Sequence, residues 1–172
     1  FIVGVKSTKL SLSEKNFLKK YRPWGVILFS RNINNIDQAK KLTSSIRKIF
    51  NDPNYPILID QEGGRVNRLK KIISFDNLTA EFFGKKFSKN RLEFKIFFKL
   101  FIDKTSFLLK SSGVNINTMP VLDLKIKGSS NVIGDRSYSN DPKIVSKIGD
   151  ICIDFFRQNS IGTVIKHIPG HG

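Results

Sequence analysis

YPILIDQEGGRV, residues 55–66, is the stretch on which the fold turns. Ile57, Leu58 and Ile59 are apolar at consecutive positions, so a strand built from them is buried on both faces. That is the habit of a parallel sheet covered by helices, not of a half-solvated antiparallel one. Asp60 closes the run and a glycine-bearing loop follows. Working outward, WGVILFS (24–30) and IGTVIKH (161–167) repeat the pattern. FIVGV (1–5) adds a first strand, and VNINTMPVLDL (114–124) contains a fourth. Helical periods fill the gaps. One spans about 11–20 with Ser11 or Ser13 at its cap, and one opens at Asn34 or Asn35 and repeats Ile36, Ala39, Leu42, Ile46 and Phe50. A long helical region covers about 79–112. A last helix starts at Asp141–Pro142 and carries Ile144, Val145, Ile148, Ile151, Cys152, Phe155 and Phe156 on one face. Strand–helix repetition without hairpin signals predicts an α/β fold with a parallel sheet. It leaves open whether the sheet is doubly wound or part of a (β/α) barrel; no G-x-G-x-x-G or P-loop follows any strand.

The 172 residues suffice for one domain with a real core. The net charge is +16, but 22 Lys against 8 Arg, scattered singly and in pairs, make no dense basic run. No nucleic-acid partner is expected from that distribution. The single cysteine, Cys152, permits no internal disulfide and sits at an apolar helical position, so it reads as core. FKIFFKLFIDKTSFLL (94–109) is very apolar, yet Lys95, Lys99, Asp103 and Lys110 recur at helical spacing. It predicts an amphipathic packing helix with a polar stripe on one side; neither a membrane span nor a membrane partner is expected. The opening FIVGV does not read as a signal peptide with its cleavage site.

In either architecture ligands meet the C-terminal ends of the strands. Polar groups stand at four of them: Ser30-Arg31-Asn32, Asp60 to Arg65, Asp123 with the loop VIGDRSYS (132–139) after it, and Lys166-His167. Structural readings compete at each. Asp60 could form an ion pair with Arg65 or Arg68. Gly63-Gly64 could serve turn geometry, Glu62 could be a supporting residue, and Asp135 could orient its loop. Asp123 could cap or brace a strand end, and His167 could be a core histidine. His167 and His171 are four apart, but the intervening Pro169-Gly170 forbids a helical metal pair, so no metal is expected.

GVILFSRN, IDQEGGRVNRL, PVLDL, VIGDRSYS and KHIPGHG occur in that order over essentially the whole chain. Together they resemble the N-terminal catalytic domain of family 3 glycoside hydrolases, and within it the bacterial β-N-acetylglucosaminidases of peptidoglycan recycling. Ile168 and Tyr138 stand where Phe is usual. The resemblance implies a TIM-type (β/α)₈ barrel, of which residues 1–172 supply about the first five units of one catalytic domain. It implies substrate contacts at Asp60, Arg68, Arg136, Lys166 and His167. It places a general acid/base His, in an Asp-Ser-His loop, and a nucleophilic Asp beyond Gly172; His171 is not that acid/base. The implied activity is a retaining, cofactor-free β-N-acetylhexosaminidase acting on an N-acetylglucosamine-containing glycan or muropeptide. The resemblance also implies a cytoplasmic, monomeric parent. The chain alone is expected to be inactive and to self-associate through unpaired sheet edges. A non-catalytic carbohydrate-binding remnant and a basic nucleic-acid-binding protein are the alternatives.

Overall fold

A computed structural model describes residues 1–126, 128 and 131–171. The strands are β1 (Ile2–Gly4), β2 (Gly25–Leu28), β3 (Ile57–Ile59), β4 (Ile116–Asn117) and β5 (Gly162–Thr163). The helices are α1 (Leu12–Tyr21), α2 (Ile36–Phe50), α3 (Ala80–Lys89), α4 (Arg91–Ser111) and α5 (Pro142–Gln158). The strands form one sheet in the order β1-β2-β3-β4-β5, every neighbour parallel. That order resolves the architecture. A doubly wound sheet reverses direction at a switch point, whereas strands added strictly in chain order build the wall of a (β/α) barrel.

Register divides the sheet into two faces. Gly4, Ile27, Leu58, Ile116 and Gly162 pair in one row across all five strands. Their neighbours Val26, Leu28, Ile57 and Ile59 join the core beneath the helices, and Leu58 does not. Leu58 and its row therefore line the opposite, inner face. Asp60 and Thr118 stand two residues beyond Leu58 and Ile116, and Lys166 four beyond Gly162. Strand alternation points all three to the inner face at its C-terminal rim.

The helices begin where their caps require. Ser11 accepts from the Glu14 N–H in a capping box, Asn35 accepts from the Gln38 N–H, and Asp141 accepts from Lys143 ahead of a Pro at the helix start. The long helical region reads as one in sequence but is two. Asn90 ends α3, and its side chain accepts from the Leu92 and Glu93 N–H groups to start α4. Phe83, Phe94, Phe98 and Phe101 build an aromatic cluster between α3 and α4. Cys152 is fully buried, and burial pushes its thiol pKa up, as befits an inert core residue. Gly84 lets α3 approach the loop after β4: a Cβ there would lie 1.7 Å from the Tyr138 carbonyl oxygen.

Candidate functional site

The inner rim gathers groups from three strand ends. Lys166 Nζ donates to Asp60 Oδ1 at 2.8 Å and to Thr118 Oγ1 at 3.0 Å, and lies 2.6 Å from Glu62 Oε1. An ammonium has three donors, so all are used. The Thr118 hydroxyl also donates to Asp60 Oδ1. Burial pushes the Asp60 carboxyl up. The hydrogen bonds from Lys166 and Thr118 and the charges of Lys166 and Arg68 outweigh it, so the pKa ends below the ordinary value. Asp60 is thus held ionised with one oxygen anchored. The other, Oδ2, has Arg68 Nη2 at 3.5 Å as its ion-pair partner among the described residues.

Glu62 is buried and grips Arg136 in a two-pronged pair, with Nε–Oε2 at 2.8 Å and Nη2–Oε1 at 2.9 Å. That pair raises the Arg136 pKa. Glu62 therefore ties the loop after β4 to the Lys166 end of β5, in keeping with its expected supporting role. The guanidinium of Arg68 lies over the Phe29 ring at 5.5 Å, with Arg31 sharing that ring at 4.6 Å. Its buried Nε–H has no protein partner among the described residues. The Arg68 backbone is fixed by Gln61 Oε1, which accepts from the N–H groups of Arg68 and Leu69. Asn117 in turn holds Gln61 by both backbone groups. Gly63 and Gly64 take φ of +90° and +53°, and a Cβ on Gly63 would lie 2.3 Å from the Leu78 carbonyl oxygen. Turn geometry accounts for both.

His167 forms the second half of the site. Its Nδ1 lies 2.5 Å from Asp123 Oδ2, which also accepts the His167 N–H at 3.3 Å, while Asp123 Oδ1 accepts the His171 N–H at 2.6 Å. Burial raises the Asp123 pKa, but these bonds and the charge of His167 lower it further, to below the ordinary value. Asp123 therefore braces the loop after β5 and sets the His167 ring. With Nδ1 directed to the carboxylate, Nε2 is the nitrogen left for a ligand.

The five residues singled out in sequence thus fall into two adjoining clusters: Asp60, Arg68, Arg136 and Lys166 in one, His167 in the other. Asp60 pairs with Arg68 and not Arg65. Arg65 instead binds Asp135 at 2.9 Å and the carbonyls of Asn131, Val132 and Ile133, so Asp135 orients its loop. At the remaining polar strand end Arg31 shares the Phe29 ring with Arg68, but Asn32 turns away. Asn32 donates to the carbonyls of Val5 and Ser7 and accepts from the Phe29 N–H, bracing the end of β1. Gln61 lay within the polar strand end Asp60 to Arg65 but had no role assigned, and Thr118 and Asn117 were not anticipated. The signal for these two was the polar side chains in NINT (115–118).

Sequential parallel strands with paired charges on the inner C-terminal rim define a barrel-type α/β domain, and in such barrels ligands meet the C-terminal strand ends. The description "Glycosyl hydrolase family 3 N terminal domain" matches residues 2–172, and the chain belongs to that family. It is 37% identical over 171 residues to a beta-hexosaminidase of Hydrogenovibrio crunogenus, covering 99% of this chain and 47% of that protein. A beta-hexosaminidase of Xanthomonas oryzae pv. oryzae is 32% identical over 173 residues, covering 99% and 50%. Among solved structures, NagZ from Neisseria gonorrhoeae in complex with N-trifluoroacetyl-D-glucosamine superposes with a TM-score of 0.88 at 28% identity, covering 99% of this chain and 51% of that one. The chain spans about half the length of the curated relatives it matches.

Proposed function

We propose that this chain is the sugar-holding part of a retaining β-N-acetylhexosaminidase, the N-terminal portion of a single catalytic barrel. The observation that carries the reading is the Asp60 carboxylate: anchored on one oxygen by Lys166 and Thr118, and open on the other beside Arg68. An ionised carboxylate accepts from two adjacent sugar hydroxyls, and a guanidinium beside it donates to their oxygens. Asp60, Arg68, Arg136, Lys166 and His167 together hold a terminal N-acetylglucosamine, with Lys166 and Arg136 each trading one present partner for a sugar oxygen. Such contacts favour a ring distorted toward the oxocarbenium-like transition state. The relatives named beta-hexosaminidases, and the N-trifluoroacetyl-D-glucosamine complex of a structural neighbour, support the substrate class.

In this reading an Asp attacks the anomeric carbon, and a His protonates the leaving oxygen and then activates water; both lie in sequence following Gly172. The substrate is a β-linked N-acetylglucosaminide, a muropeptide fragment in peptidoglycan recycling, and the parent enzyme is cytoplasmic and monomeric. The test is Asp60→Asn in the full-length protein, assayed on 4-nitrophenyl N-acetyl-β-glucosaminide. The charge-assisted bonds to two hydroxyls are lost, so kcat/KM is expected to fall about a hundredfold or more. An unchanged kcat/KM would remove Asp60 from the sugar site. Absence of activity in the parent would favour a carbohydrate-binding role.

A further inference from the structure

The polar stripe expected on α4 is real but does not occupy its outermost line. Leu92, Ile96, Leu100 and Phe107 are 71%, 53%, 61% and 61% exposed, and helical spacing puts them on one outward crest. Neighbouring helices behave differently. The exposed positions of α2 are Asp37, Lys40, Lys41, Ser44, Ser45 and Lys48, with no apolar crest.

Nor is the crest a sheet edge. Ile2 on β1 and Val164 and Ile165 just after β5 are exposed, at the two edge strands of the sheet. By contrast α4 connects β3 to β4, in the middle of the sheet, and packs against α2, α3 and α5. Its crest points away from all of them.

The crest is bordered by cations. Lys95 and Lys99 lie along one flank and Lys104 along the other, with Lys110 five turns from Leu92 at the C-terminal end of the crest, all exposed. The acids on this helix are already engaged: Glu93 pairs with Lys86, and Asp103 accepts from Lys99 at 2.7 Å and from Asn159 at 2.8 Å. We infer that the outer face of α4 seats the protein on an anionic phospholipid surface, the crest entering the headgroup boundary and the lysines meeting the phosphates. An apolar stripe flanked by Lys is the arrangement of an interfacial helix. Among the described residues no helix is long and apolar enough to cross a membrane. A second copy fits less well, because two such faces would bring like charges together across the contact.

The test is co-sedimentation of the full-length protein with vesicles of phosphatidylglycerol and phosphatidylcholine, against phosphatidylcholine alone, at physiological ionic strength. Two variants accompany it: Leu100→Gln with Phe107→Gln on the crest, and Lys95→Gln with Lys104→Gln on the flanks. All four positions are exposed, and circular dichroism checks that both variants fold. Binding is expected for the anionic vesicles, with each double variant lowering the partition coefficient roughly tenfold or more. The inference is overturned if the parent does not bind, if the crest variant binds as the parent does, or if the crest variant instead dissolves a dimer seen in sedimentation equilibrium.

Discussion

The rim of the sheet and the outer surface of α4 both carry lysine–carboxylate pairs, made in opposite ways. Lys99 and Asp103 are one helical turn apart and both substantially exposed, at 46% and 38%. Lys166 and Asp60 are 106 residues apart and mostly covered, at 12% and 20%. The first pair costs little to break, because water replaces either partner. The second cannot be broken cheaply, since removing the cation leaves carboxylates in a place water reaches poorly. Local charge decorates a helix that its own apolar face already holds. Long-range charge instead fixes where three strand ends stand relative to one another.

The sharpest way to break the contrast is Lys166→Met. It strips Asp60 and Glu62 of a shared cation and is expected to cost about 3–5 kcal/mol in urea unfolding of the full-length protein. A loss under about 1 kcal/mol would mean that the rim is as solvated as the helix surface.

A smaller effect follows from pH. The Asp60 pKa is lower in the folded protein than its ordinary 3.8. A lowered folded pKa gives stability that is fully present above the unfolded value and lost as pH falls through the folded one. The melting-temperature gap between Asp60→Asn and the parent is therefore expected to stay constant from neutral pH to about 4 and to close only below it. A gap closing between pH 6 and 5 would show that the surrounding cations do not hold the carboxylate ionised. The least effect belongs to Lys99→Met, expected to change stability by less than about 1 kcal/mol.

The same contrast separates what the sequence discloses from what it withholds. Apolar runs and caps are local, so the helices opening at Asn35 and Asp141 and the strand ending at Asp60 were legible. The division of α3 from α4 was also local, through the capping residue Asn90, but continuous helical periodicity on both sides hid it. Strand order was not local, and nothing in the periods distinguished a barrel wall from a doubly wound sheet. The five residues proposed to hold the sugar were picked out through motifs, and the structure adds their alliances. The Glu62–Arg136 pair spans 74 residues and the Asp123–His167 pair 44, and no period in the chain connects them. Thr118 escaped notice because a threonine at the end of a strand is ordinary. Only the neighbouring Asp60 and Lys166 make it part of the cluster.

The separation between Asp60 and Lys166 is also an interval of time. Each strand pairs with the one before it in the chain, so synthesis delivers the strands in the order in which the sheet joins them. At roughly 5–20 residues per second, the 106 residues from Asp60 to Lys166 take about 5–20 s to make. During that interval β3 is available to β2, while Asp60 and Glu62 await the cation they share. Arg68 and Arg136 are made before it, so what the nascent rim lacks until Lys166 emerges is the cation that bridges both carboxylates.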